Sequence, residues 1–373
     1  MSSAAPPCDL SAVEARQLIG RKKLSPVELL ESCLKRTAET NPALNAVVDQ
    51  DEDLARTTAR QLEAEVMAGE PLGLLHGLPV GIKDLDPVKG LRCTWGSLLF
   101  KDHVPDADSE NVGNVRAAGA NIFAKTNTPE FGAGANTRNR VYGATGNAFD
   151  PTLTAAGSSG GSAVSLAVGQ MPLATGSDYG GSLRTPAAFN GIVGFRPSPG
   201  IIPLPGRPAG LLPWGVLGPM GRTVADAYLL FRAQVDDNVD DPYSVATLDL
   251  AETLMPADLS SVRAAITSDF GVAPVARNIR TVFADRMKKL GPWMGTAEET
   301  QPDYSDLHDI FEIHSGFAFA TMQGDSLKKH RELLDRNVID ITESGLQLTM
   351  DDVRRGMTGQ HALMKRVNAF FDD

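Results

Sequence analysis

At 373 residues, 42% hydrophobic and 22% charged, the chain has the composition of a globular protein with a large core and no disordered character. A formal net charge of −11 argues against nucleic acid and anionic membrane as main partners and favours a neutral or cationic small molecule. Cys8, Cys33 and Cys93 are few, odd in number and widely spaced, which fits a reducing compartment and neither a disulfide framework nor a zinc site.

Taken in chain order, Met1–Pro7 lacks a basic start and a long apolar core, so no signal peptide is expected and the reading places the protein in the cytoplasm. Ser25-Pro26-Val27-Glu28 is a capping box with proline at the first helical position, and it predicts a helix running to about Thr40. A polar helix is expected over Asp51–Ala68. Pro79-Val80-Gly81-Ile82-Lys83 is a mostly apolar run that can carry one amine into a dry interior. Ala120–Lys125 predicts a buried strand after a helix ending near Gly119, and Ile192–Phe195 predicts another strand. Between them, Gly161–Gly169 reads as a small-residue helix whose N-terminal dipole lies close to Ser158. Pro197–Pro219 reads as a long loop and a pocket wall, Thr223 opens a further helix, and the chain from Asp306 onward is expected to be mostly helical. No internal repeat is visible.

Two blocks carry the chemistry: Gly157-Ser158-Ser159-Gly160-Gly161-Ser162 and Gly176-Ser177-Asp178-Tyr179-Gly180-Gly181-Ser182-Leu183-Arg184. They present hydroxyls together with bare backbone N–H groups. A serine hydroxyl needs a neighbouring base, and none of the six histidines, His76, His103, His308, His314, His330 and His361, lies in such a setting. Lys83 is the remaining candidate, because burial lowers the pKa of an amine and lets it take a proton. A second hydroxyl can then bridge the amine to the nucleophile.

These blocks, with the upstream Gly81-Ile82-Lys83-Asp84, resemble the amidase signature family, whose members hydrolyse amides through serine, cis-serine and lysine. The resemblance runs from Leu24–Glu28 through Lys125-Thr126-Asn127 to Gly194–Ser198 and fades after about Arg222. It implies an α/β fold with a mixed central sheet flanked by helices on both faces. By motif position it implies Ser182 as nucleophile, Ser158 as the bridging serine and Lys83 as base, and the spacings of 24 and 75 residues agree. The same resemblance implies an oxyanion hole from the backbone N–H groups of Tyr179, Gly180, Gly181 and Ser182, with Ser159, Asp178 and Arg184 in support and no metal or cofactor. The domain reading is one domain over 1–373, with a helical segment at 1–70, a catalytic core at 71–222 and a helical part at 223–373. Family members continue through a further strand and helices where this chain stops at Asn368–Asp373, so a C-terminal truncation is expected, with part of the sheet missing and stability reduced. Ala156 replaces a glycine common in the family, and Tyr179 fills a position more often small or β-branched.

The expected activity is hydrolysis of a small amide, anilide, ester or carbamate, with room for a homodimer. Two alternatives stand beside it: the glutaminase A subunit of a tRNA-dependent amidotransferase, and a non-catalytic binding protein of the same fold. Gly157–Gly161 also fits Gly-x-Ser-x-Gly, which would make Ser159 the nucleophile with a downstream histidine among His308, His314, His330 and His361. Ser326-Leu327-Lys328-Lys329 matches Ser-x-x-Lys without its companion motifs and reads as a solvated helix face, and His76 reads as structural. No phosphate-binding Gly-x-x-x-x-Gly-Lys-[Ser/Thr] occurs. Tyr179 and Trp214 suggest an apolar or aromatic acyl pocket, and packing serves equally well to explain them.

Overall fold

The computed structural model describes residues 5–207, 212–245 and 249–372. Two compact units divide the chain: Met1–Thr253 with Asp325–Ile339, and Leu254–Gly324 with Asp340–Asp373. In chain order the elements are α1 (Ala12–Gly20), α2 (Pro26–Leu44), β1 (Val47–Gln50), α3 (Glu52–Ala68), β2 (Pro79–Lys83), α4 (Glu110–Ala117), β3 (Asn121–Thr126), β4 (Arg138–Asn139), β5 (Gly143–Ala144), α5 (Gly160–Ala167), β6 (Leu173–Asp178), α6 (Arg184–Asn190), β7 (Val193–Gly194), β8 (Val216–Gly221) and α7 (Val224–Gln234). After them come β9 (Arg263–Ile266), α8 (Arg277–Leu290), β10 (Thr296–Glu299), α9 (Leu307–His330), α10 (Arg336–Leu346) and α11 (Met350–Asp372).

The first unit is built on a six-stranded mixed sheet of order β1-β3-β2-β6-β8-β7. Its centre is parallel, with β2 between β3 and β6, and its flanks are antiparallel. Alternating side chains sort into two apolar clusters with helices on both faces. Val80, Ile82, Ile122 and Leu173 pack with Ile19 of α1, Val112 of α4 and Leu230 of α7. Phe123, Ala124 and Ala174 pack with Leu30 of α2, Ala59 of α3, Leu166 of α5 and Ala187 of α6. Central strands buried on both faces explain why β2 and β3 lack a clean polar alternation. The second unit holds a parallel pair, β9 with β10, and helices. No helix of the described residues is long and apolar enough to cross a membrane.

The predicted capping box forms: Ser25 Oγ accepts from Val27 N at 2.9 Å and Glu28 N at 3.4 Å, while the Glu28 carboxylate accepts from Ser25 N at 3.0 Å. Helix α2 runs four residues beyond the expected Thr40, because Pro42 removes a single N–H while Asn45, in the left-handed region at φ 51°, closes the end. Ser25→Ala should lower unfolding free energy by about 1 kcal/mol, read as a denaturant midpoint moved at constant slope.

Two expectations need correction. The strand expected over Ile192–Phe195 is only Val193–Gly194, paired with Gly221 and Met220 of β8. The Pro197–Pro219 segment is not loop throughout: Val216–Gly221 forms β8, an interior strand in which Pro219 opposes Thr175 and accepts a hydrogen bond from Phe195 N at 3.2 Å. Gly218 and Pro219 read locally as strand breakers. In place, a Cβ on Gly218 would stand 2.5 Å from the carbonyl oxygen of Phe195 and from Leu183 Cδ1, so the crowded sheet requires glycine there. Residues 208–211 of that segment lie outside the described residues.

Candidate active site

Lys83 ends β2 and is 2% exposed, although an ammonium in an apolar interior is costly. Hydroxyls replace its water. Nζ lies 2.7 Å from Ser158 Oγ, 2.8 Å from Ser159 Oγ and 2.9 Å from Ser177 Oγ. Burial lowers its pKa to about 7, against the opposing charge of Asp178. A neutral amine has two N–H groups and one lone pair, so it can donate to two of these hydroxyls and accept from the third.

The two serine blocks reach the amine from different elements. Ser159 stands at the N-cap of α5, and the Gly157–Ser158 peptide bond is cis. Ser158 is buried, and a Cβ on Gly132 would lie 3.5 Å from its hydroxyl, which places the Glu130–Gly132 turn beside it. Ser182 precedes α6 and is half-buried. A hydrogen bond from Ser159 N to Ser182 O at 3.2 Å joins the blocks.

Asp178, at the end of β6, orders the loop that carries Ser182. Its fully buried carboxylate accepts from Gly181 N at 2.8 Å, Leu183 N at 3.1 Å, Arg184 Nε and Nη2 at 3.0 Å each, and Arg196 Nη1 at 3.0 Å. Burial pushes its pKa up, but the Arg184 hydrogen bonds and the backbone donors win and hold it at about 2. Gly181 has φ +122°, and a Cβ there would lie 2.7 Å from Thr185 Oγ1. Its N–H is occupied by Asp178, while among the described residues no acceptor is bonded to the N–H of Gly180 or Ser182.

The structure thus brings Lys83, Ser158 and Ser159 into direct contact and sets Ser182, Asp178 and Arg184 around the adjoining loop. Tyr179 is half-buried, its ring 5.7 Å from that of Trp214. Ser159 is fully buried, with its hydroxyl engaged by Lys83 Nζ, by Ser177 N at 3.3 Å and by Ser177 O at 3.3 Å. Among the described residues no histidine is bonded to it. His76 is buried with Nε2 2.9 Å from the carbonyl of Leu62, and Lys328 and Lys329 are exposed on α9.

Two residues at the site carried no expected role, Ser177 inside the second serine block and Arg196 beyond it. Ser177 supplies the third hydroxyl at the amine; it shares a strand face with Thr175, whose Oγ1 accepts from Lys83 N at 3.2 Å. That period-two pair of hydroxyls was the available signal. Arg196 bonds Asp178, and no local pattern announces it.

A sequence model described as Amidase matches residues 28–363. The chain belongs to the amidase family. It is 33% identical over 355 residues to an acylamidase of Rhodococcus erythropolis, covering 93% of this chain and 73% of that one. It is also 35% identical over 274 residues to the A subunit of a glutamyl-tRNA(Gln) amidotransferase from Acaryochloris marina, covering 72% of this chain and 57% of the relative. A solved bacterial aryl acylamidase of the amidase signature family superimposes with a TM-score of 0.89 at 27% identity, over 99% of this chain and 79% of that one. The chain therefore spans just over half the length of that amidotransferase relative. Family membership and the acylamidase relative support an amide hydrolase.

Proposed function

We propose that the chain hydrolyses a small amide, anilide or carbamate through an acyl-enzyme on Ser182. The observation that carries this reading is the Lys83 amine, buried, held near neutrality and enclosed by three serine hydroxyls, Ser158 among them. Neutral Lys83 draws the proton of Ser158, Ser158 draws that of Ser182, and the Ser182 oxygen attacks the carbonyl carbon. The N–H groups of Gly180 and Ser182 are donors that can stabilise the oxyanion. Collapse of the tetrahedral intermediate breaks the C–N bond, and the leaving amine takes a proton back through Ser158. Water then repeats the sequence on the ester and frees the acid. Full burial of Ser159 argues against it as the attacking group.

Labelling with a serine-directed fluorophosphonate, read by intact mass and peptide mapping, tests the reading: one adduct at Ser182 is expected. A folded sample that takes no label would favour a binding role instead. Similarity to the A subunit of an amidotransferase supports a second reading, in which the same groups free ammonia from glutamine. Glutamine turnover that appears only with a partner protein would select it over hydrolysis of anilides by the chain alone.

A further inference from the structure

Asp178 does two opposed things at this site. Its carboxylate gathers the loop around Ser182, and its charge favours the protonated form of Lys83, which a base must leave. Two arginines answer that charge, and they differ in exposure. Arg184 holds two of the carboxylate's hydrogen bonds, but its side chain is 56% exposed and water screens it. Arg196 is 23% exposed and approaches from within: Nη1 donates to Asp178 Oδ1 at 3.0 Å and to the Asp178 carbonyl at 2.5 Å, and Nη2 donates to the carbonyl of Trp214 at 2.9 Å.

We propose that Arg196 is a positioning residue for Lys83: its guanidinium neutralises the Asp178 carboxylate from inside the protein and so keeps that charge from holding a proton on the amine. The other groups around Lys83 do not take this role. Ser158, Ser159, Ser177 and Thr175 are neutral hydroxyls. From the β3 side, Lys125 pairs with Asp84 at 3.6 Å, and Asp86 is occupied by Ser109 and Asn111. With Arg196 uncharged, Asp178 stays ionised through Arg184 and its two backbone donors, and its attraction for a charged Lys83 is less opposed. Fastening to the carbonyl of Trp214 keeps the guanidinium in place, while among the described residues Arg196 itself bonds neither Lys83 nor a serine hydroxyl.

The inference rests on Lys83 being the base. The test follows the rate of fluorophosphonate labelling at Ser182 against pH in the wild type, R196Q, R196K and K83A, each checked for folding by circular dichroism. R196Q keeps a donor and loses the charge, so its rising limb should move up by about one pH unit, leaving labelling several-fold slower on the acid side and little changed on the plateau. R196K, which keeps the charge, should return the limb to the wild-type position. A limb unmoved in R196Q, or a loss equal at every pH, overturns the proposal. Should R196Q not fold, R196M, which also removes the charge, takes its place: a limb moved up supports the proposal, and an unmoved limb overturns it. The two readings fail separately. K83A labelling at the wild-type rate would remove the base, whereas silent K83A with an unmoved R196Q limb would remove only the role of Arg196.

Discussion

Ser182→Ala is expected to abolish acylation and to cut kcat/KM by about 10⁴-fold or more, because the proposed acyl-enzyme forms on its hydroxyl. Ser158 and Ser159 are buried, and the hydroxyls of Ser158, Ser159 and Ser177 are all bonded to Lys83 Nζ. The change removes, from a half-buried residue, a hydroxyl with no hydrogen-bond partner among the described residues, so unfolding midpoints should stay near the wild-type value. Steady-state turnover of an anilide, paired with mass detection of the fluorophosphonate adduct, checks both halves. An adduct that persists in Ser182→Ala would mean another serine attacks.

Lys83→Ala is expected to lower kcat/KM by about 10³-fold, the share of a well-placed general base. In the wild type, kcat/KM should rise as pH passes about 7, where the buried amine loses its proton, and Lys83→Ala should lose that limb. Near-normal turnover by Lys83→Ala at neutral pH would end the base assignment. Stability carries the same signature with a definite sign. The folded pKa of Lys83 is depressed to about 7 from the ordinary 10.5, so below pH 7 both states carry the charge and burying it weakens the fold. Between those values the unfolded chain binds the extra proton, and stability rises with pH; above them the amine is neutral in both states and the penalty is gone. The stability deficit of the wild type relative to Lys83→Met should therefore shrink from about pH 7 to about pH 10, measured by denaturant unfolding across that range. A difference that stays flat would show that the amine is not desolvated as described.

Much of this was legible in the residues because the signals are local. Ser25 and Glu28 form their box within one helical turn, and Asp51 caps α3 by accepting from Leu54 N at 2.9 Å, three residues on. Strand β3 shows itself through Ile122, Phe123 and Ala124, which are buried together. Fold class was legible through the two serine blocks and the family they resemble. Strand β8 was not, because Gly218 and Pro219 contradict strand propensity. Only their partners resolve the contradiction: Thr175 and Gly176 on β6, over 40 residues away, and the crowding at Phe195. The short β7 fails for the converse reason, since Ile192–Phe195 has strand composition but only Val193 and Gly194 meet β8.

At the site the same division holds. Sequence alone determined which chemical groups are available: a lysine closing an apolar run, serines among glycines, and an Asp178-to-Arg184 spacing that lets the guanidinium meet the carboxylate at 3.0 Å. Tertiary structure decided what those groups are. It joined residues 75 and 94 positions apart to set Ser158 and Ser177 on the amine, sealed the amine from water so that its pKa falls to about 7, occupied the Gly181 N–H with Asp178, and brought Arg196 and the Trp214 carbonyl to that carboxylate. The reason is physical: which side chain a residue carries is a local property, whereas the proton affinity of that side chain depends on the water it loses and the charges it meets, and folding supplies both from distant parts of the chain.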